Sequence, residues 1–192
     1  NMPHEKSLNR LRPFLGGMLI LILAHFTVQA QRGAEFQDAI LRRINFVRDS
    51  MHLVPVVHSK ALMGAAQLQA EWSSRHDSLM HDQPHHPQKN ALYNRVLLKG
   101  GNHNGLSENV MFLIPPPGRP MAEWAVRVVD HSMSSPTYAR NIISPDQRYC
   151  GIGIFFEKKT NRLCVCQVFA EANWQPPAKV HINKHAFGTR TP

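Results

Sequence analysis

Twelve histidines stand in this chain of 192 residues, and His81, His85 and His86 fall in one short stretch with Asp82 among them. Neutral imidazoles with a carboxylate are donors of the kind that hold zinc or copper. Pro84 and Pro87 break the same stretch and favour its reading as a polar surface loop. His81 differs from the other two, because it follows the apolar pair Leu79-Met80 at the end of a helical pattern and can turn inward. Asp130, His131 and Ser132 are the residue types of a proton relay, but helix neighbours diverge by about 100° and cannot line up as one. The sequence contains no G-x-S-x-G elbow, H-E-x-x-H pair, P-loop or G-x-G-x-x-G turn.

Cys150, Cys164 and Cys166 allow one disulfide in an oxidising compartment and leave a thiol over. Cys164 and Cys166 are two apart on a strand-like run and so face the same side. A hairpin turning near residues 158–161 sets Cys166 opposite about residue 152 and Cys164 opposite about residue 154, away from Cys150. We therefore expect no cross-strand bridge, and three buried thiols acting as small hydrophobes. Two neighbouring cysteines are too few for a zinc site of their own.

The elements that must position these groups follow from periodicity. Phe36, Ala39, Ile40, Ile44 and Val47 predict an amphipathic helix over 35–51. Pro55 keeps 53–57 extended, and Ser59 is the expected N-cap of a helix through Leu62, Ala65, Ala66, Gln69 and Trp72. A loop over 82–87, a short helix over 90–99 stopped by Gly100-Gly101, and a turn over 102–105 come next. A strand over 108–114 ends at Pro115. A helix over 121–132 has Trp124, Val128 and Val129 inward, and a helical turn follows Ser135-Pro136. The chain then forms a hairpin from 149–156 and 162–170. Such an order gives an α+β domain, a three-layer α/β/α sandwich around a small, mostly antiparallel sheet.

The N-terminus reads as an export signal. Lys6, Arg10 and Arg12 precede an apolar stretch over 14–24, and Val28-Gln29-Ala30 offers small residues for cleavage before Gln31. Met2 is the expected translation start, behind Asn1. A membrane-spanning helix needs about 20 apolar residues, and His25 and Thr27 interrupt this run. We expect a cleavable signal over 1–30, one domain over 31–174 and a poorly ordered basic tail over 175–192. No later run is long enough to span a membrane, so the mature chain is expected to be soluble and monomeric, and secreted or periplasmic. Taking the signal's three basic residues and one acid from the chain's 22 Lys and Arg and 13 Asp and Glu leaves 19 against 12. Lys179, Lys184 and Arg190 lie in the tail, so the domain itself is only mildly basic. That charge suits adhesion to an anionic surface. It comes without the aromatic-interleaved basic stripe of a nucleic-acid protein, so nucleic acid is not an expected partner.

Several short blocks, in order, resemble one family. Ile44-Asn45-Phe46-Val47-Arg48, Leu53-Val54-Pro55-Val56, Leu62 and Ala65-Ala66 make the first. Leu79-Met80-His81, Asn94-Arg95 with Gly100, and Ser107-Glu108-Asn109-Val110 follow. Last come residues 135–145, Ser-Pro-Thr-Tyr-Ala-Arg-Asn-Ile-Ile-Ser-Pro, and then Gly151-Ile152-Gly153. This pattern resembles the CAP superfamily of cysteine-rich secretory proteins, antigen 5 and plant pathogenesis-related 1 proteins, above all its short bacterial members.

The resemblance implies a cleft with two histidines and two glutamates, which in some members binds a divalent cation such as zinc. By position the first histidine is His81 and the first glutamate Glu108. The second histidine falls on Tyr138, since His131 lies seven residues too early. The second glutamate falls near Ser135, where there is no acid, and Glu123 and Asp130 are poorly placed substitutes. Two remaining ligands, His81 and Glu108, would hold zinc weakly, and a phenol with a pKa near 10 is a poor ligand. Tyr138 is expected instead to donate a hydrogen bond to Glu108. A carboxylate raises the basicity of a partnered histidine, so His81 and Glu108 form a dyad, read first as a structural network and only second as catalytic. Asn109 and Asn141 are expected to satisfy backbone at turns. The resulting expectation is a non-enzymatic extracellular binding module whose ligand cleft holds His81, Glu108 and Tyr138, with a lipid or sterol, a glycan or a protein as ligand. The alternative is a His/Glu-dependent or metal-assisted extracellular hydrolase of peptide or cell-wall material with a partly degenerate site.

Overall fold

Phe36, Ile40, Ile44 and Arg48 recur every fourth residue, the spacing that lines one face of a helix. In the computed structural model, which describes residues 31, 33–115 and 120–171, they form the buried stripe of helix α1, residues 33–50. The export signal expected over 1–30 and the tail expected over 175–192 lie outside the described residues.

Arg48 ends this apolar stripe and is itself fully buried. Backbone carbonyls absorb its charge: the guanidinium donates to Val54 O at 2.9 and 2.8 Å, Ile142 O at 2.6 Å, Ser144 O at 2.9 Å and Gln147 O at 3.2 Å. Burial, and then the nearby Arg148, lower its pKa. Asn45 pairs both ends of its amide with the backbone of Val56, each at 2.9 Å. These two side chains lead the chain from α1 into the short strand β1, Val57–His58.

Ser59 then caps helix α2, Lys60–His76, by accepting the Leu62 N–H at 3.4 Å. Helix α3, Leu92–Leu98, and strand β2, Ser107–Leu113, follow. Helices α4, Met121–Ser134, and α5, Pro136–Ile143, lead to the hairpin of β3, Tyr149–Glu157, and β4, Arg162–Ala170. The helical turn expected after Pro136 is thus a full helix. The strands lie in the order β1-β3-β4-β2, with β1 parallel to β3 and the other pairs antiparallel.

Alternation along the strands separates two cores. Met111, Cys150, Ile152, Val165 and Phe169 face α1, α4 and α5. Val110, Cys164, Cys166 and Val168 face α2 and α3. The α/β/α sandwich expected from the sequence is therefore the observed architecture. Cys166 lies opposite Gly153 and Cys164 opposite Phe155, one residue along from the expected partners. All three cysteines are buried free thiols, with Cys150 on the other face from the remaining two.

Gly151 and Gly153 set how closely α2 meets the sheet. A Cβ on Gly151 would lie 2.1 Å from Leu62 C, and one on Gly153 2.2 Å from Ala66 C and O. Those contacts are with helix backbone, which cannot swing aside as a side chain can. Ala65, Ala66 and Ala70 complete the close approach, all of them fully buried. We expect Gly153→Ala to destabilise the domain by about 3 kcal/mol, the upper part of the overpacking range. Chemical denaturation checks this, and a loss under about 1 kcal/mol would mean that α2 can lift from the sheet.

Candidate functional site

Glu108 points from β2 into the layer shared with α2 and α3, and its side chain is only 3% exposed. A carboxylate at such a depth needs a cation and hydrogen bonds. Arg95, fully buried in the middle of α3, supplies both. Its Nη2 donates to Glu108 Oε2 at 2.7 Å. Its Nη1 reaches back to the carbonyls of His81 at 3.0 Å, Lys89 at 3.1 Å and Asn90 at 2.8 Å. One guanidinium therefore neutralises Glu108 and pins the loop that carries His81.

His81 meets the other carboxylate oxygen, with Nδ1 2.9 Å from Glu108 Oε1. Since an ionised carboxylate only accepts, Nδ1 carries the proton and Nε2 is left as the ring's second polar atom. The imidazole has turned toward Glu108, as the sequence suggested, yet remains 57% exposed at the rim. The hydrogen bond to Glu108 raises its pKa, against an opposing effect of burial. Cys166 approaches from β4, its Sγ donating to Glu108 Oε2 at 3.4 Å. Burial, reinforced by Glu108, keeps that thiol protonated with a pKa well above the ordinary value. Cys164 is pushed up to about 12, first by burial.

The loop backbone before and at His81 is held on both sides. Gln69 of α2 donates to Met80 O at 2.6 Å and accepts from Gln83 Nε2 at 2.9 Å. Gln69 and Gln83 are almost fully buried. The loop is thus fastened to α2 by amides and to α3 by Arg95. Sequence reasoning matched Arg95 to a family motif without assigning it to the site. The signal was a single charge inside the otherwise largely apolar run Leu92–Leu98.

Tyr138 does something different from the expected contact with Glu108. Its hydroxyl donates to the Val110 carbonyl at 2.7 Å, on the edge strand β2, and its ring packs in the core shared by α1, α4 and α5. Val110 O is an acceptor nearer to α5 than the Glu108 carboxylate, which projects to the other layer. Burial raises the phenol's pKa. Asn109 and Asn141 also depart from the turn roles expected of them. Asn141 Nδ2 donates to Asn109 Oδ1 at 2.7 Å, and Asn109 Nδ2 to Gln167 Oε1 at 3.0 Å and Tyr138 O at 3.2 Å. Ser132 joins them by donating to Gln167 Oε1 at 3.2 Å. This network sews β2, β4, α4 and α5 together on the face opposite Glu108.

The family profile described as "CAP: Cysteine-rich secretory protein family" matches residues 41–169, well over half of the chain. The protein belongs to the CAP family. A search of the curated proteins finds no match. By structure this CAP domain resembles an extracellular SCP-domain protein of Bacillus anthracis, at 14% identity and a TM-score of 0.59 over 73% of this chain and 41% of that one. An outer surface protein of Borrelia burgdorferi matches at 16% identity and 0.59, over 72% and 94%. A cysteine-rich secretory protein of Staphylococcus aureus matches at 12% identity and 0.56, over 73% and 39%. At these identities the likeness is one of fold. This chain spans less than half the length of the Bacillus and Staphylococcus proteins. No helix among the described residues is long and apolar enough to cross a membrane.

The residues of this CAP domain do not fit a divalent cation at the cleft. Zinc wants three or four N, S or O donors, and among the described residues no group of three His, Cys, Asp or Glu side chains is arranged to hold a metal ion, since Cys166 beside Glu108 stays a protonated thiol. Both oxygens of Glu108 are already engaged, one by the fixed cation of Arg95. Asp130 is ion-paired to Arg43 at 2.9 Å instead. His85 and His86 are exposed in the loop and join no such group.

Two outcomes follow from this geometry. Arg95→Met strands a buried carboxylate and should cost about 3–5 kcal/mol, read by denaturation; a cost below about 1 kcal/mol would make the pair dispensable. The pKa of His81 is raised above the ordinary 6.5 by its Glu108 partner. Stability from that pair is therefore fully present below about pH 6.5 and lost as pH rises through the raised folded value. Exposure keeps the amplitude small. The Tm difference between the wild type and His81→Gln should be largest at low pH and shrink toward alkaline pH, and a difference that stays constant from pH 5 to 9 would contradict this.

Proposed function

We propose that this protein is a non-enzymatic extracellular binding module that takes an amphipathic lipid-like ligand over His81 and the outer face of α3. The carrying observation is an exposed imidazole held rigid by a buried Arg95–Glu108 pair, on elements that also expose Leu79, Met80, Tyr93 and Leu97. Tyr93 and Leu97 are one helical turn apart on α3, so they present a single apolar strip. Such a strip suits a hydrocarbon body, and His81 suits a polar head. The export signal expected over 1–30 supports the extracellular placement. So do the structural relatives, described as an extracellular protein and an outer surface protein.

Catalysis is the weaker reading. His81 Nε2, with Nδ1 anchored on a carboxylate, is arranged as a general base could be. Glu108, however, is committed to Arg95, and the position near Ser135 supplies no second acid. Titration with a fluorescent sterol and a fluorescent fatty acid tests the proposal. Saturable uptake is expected, weakened about tenfold by Leu97→Glu. Failure of both probes to bind saturably would sink it.

A further inference from the structure

A second cavity, of about 450 Å³, opens at the other end of α2 from His81 and shares no residue with that site. The first turn of α2 forms one wall and the Gly100-Gly101 segment after α3 another. His58, Asn102 and His103 also line it, and each carries a polar atom that is closed to water and has no partner: His58 Nδ1, Asn102 Oδ1 and His103 Nδ1. A buried polar atom left unmet is costly, and three of them lie in the walls of this one cavity, just behind its surface.

Their chemistry says which kind. His103 is only 7% exposed, and Tyr149 holds its ring edge-on at 5.3 Å. Its Nε2 lies 3.4 Å from Ser59 Oγ, which already accepts from Leu62 N–H and so has its own proton free for Nε2. With that pairing, His103 Nδ1–H is a donor facing no acceptor. Burial lowers the pKa of His103, so the ring is neutral near pH 7. His58 has the reverse pattern. Its Nε2–H donates to Asp38 at 3.1 Å, so that in the neutral ring Nδ1 is an acceptor without a donor. Asn102 Oδ1 is a second acceptor. Lys60 supplies a cation, and the Lys60 and Ala61 amides belong to the first turn of a 17-residue helix, where N–H groups have no intrahelical partner and the dipole is positive.

One cation and several N–H donors on one side and two acceptors on the other match a molecule that is both an anion and a polyol. We propose that this cavity binds an acidic sugar, a monosaccharide bearing a carboxylate or a phosphate ester. The oxyanion lies against Lys60, the first-turn amides and His103, and hydroxyl groups donate to His58 Nδ1 and Asn102 Oδ1. Small rotations of the two imidazoles and of the Asn102 amide open these buried atoms to the ligand. The volume falls within the range of about 300–1,000 Å³ usual for small-molecule sites.

Histidine side-chain NMR signals of the purified protein, titrated with glucuronate, glucose 6-phosphate, glucose and inorganic phosphate, test this. At least one of the two acidic sugars should shift His58 and His103 saturably without moving His81. Which one binds tells a carboxylate from a phosphate ester. Glucose or phosphate alone should bind at least about tenfold more weakly. Lys60 is exposed, so Lys60→Gln should leave Tm unchanged while weakening the acidic sugar about tenfold, the value of one charged hydrogen bond. No saturable shift with either acidic sugar would overturn the proposal. So would phosphate binding as well as the sugars, or Lys60→Gln binding as well as the wild type.

Discussion

At Gly151 and Gly153 helix α2 meets β3 main chain to main chain, because these two residues have no Cβ to hold the helix off. A contact of this kind permits one depth and very little sliding, since any side chain moved into it would collide with helix backbone. The placement of everything on that face follows. At its start, α2 sets Ser59 and Lys60 beside Tyr149 and His103. At its end, Asp77 in the left-handed conformation stops the helix, and its carboxylate takes Arg162 of β4 at 2.6 Å. The loop to His81 therefore leaves from a fixed point, and Gln69 on the same helix holds the carbonyl just before it.

Two buried arginines then close the loops that the sheet cannot reach, and they do so with different chemistry. Arg48 donates its hydrogen bonds to main-chain carbonyls and joins the end of α1 to the chain around α5 and β3. Arg95 divides its hydrogen bonds between carbonyls and one carboxylate. Burying either charge unmatched would cost several kcal/mol (about 3–5 when one partner of a pair is lost). Each arginine thus makes its loop conformation a condition of folding. Glu108 is stable where it lies because a guanidinium meets it, and the same contact occupies an oxygen that a metal ion would need.

The sheet also separates polar groups that a linear motif lists side by side. Glu108 and Asn109 are neighbours in sequence, yet they serve different layers. Glu108 joins Arg95, His81 and Cys166, while Asn109 joins Gln167, Asn141 and Tyr138. A signature of adjacent residues on a strand therefore carries two structural functions, one for each face.

Much of this was legible in the residues themselves. The helix stripes of α1 and α2, the Ser59 cap, the Gly100 stop and the terminal hairpin are local patterns, set by side-chain periodicity and by backbone preferences that act over a few residues. The pairing of His81 with Glu108 followed from family position. What the chain alone could not reveal was whom a buried charge or hydroxyl would choose. Arg95 was visible only as a charge in an apolar run. Tyr138 reached a bare strand-edge carbonyl instead of the expected carboxylate, and the unpartnered atoms of His58, Asn102 and His103 came together only once α2, α3 and β3 had packed. Partners distant in sequence are decided by tertiary packing, because a hydrogen bond requires atoms within about 3 Å of each other, and no local pattern specifies such a distance.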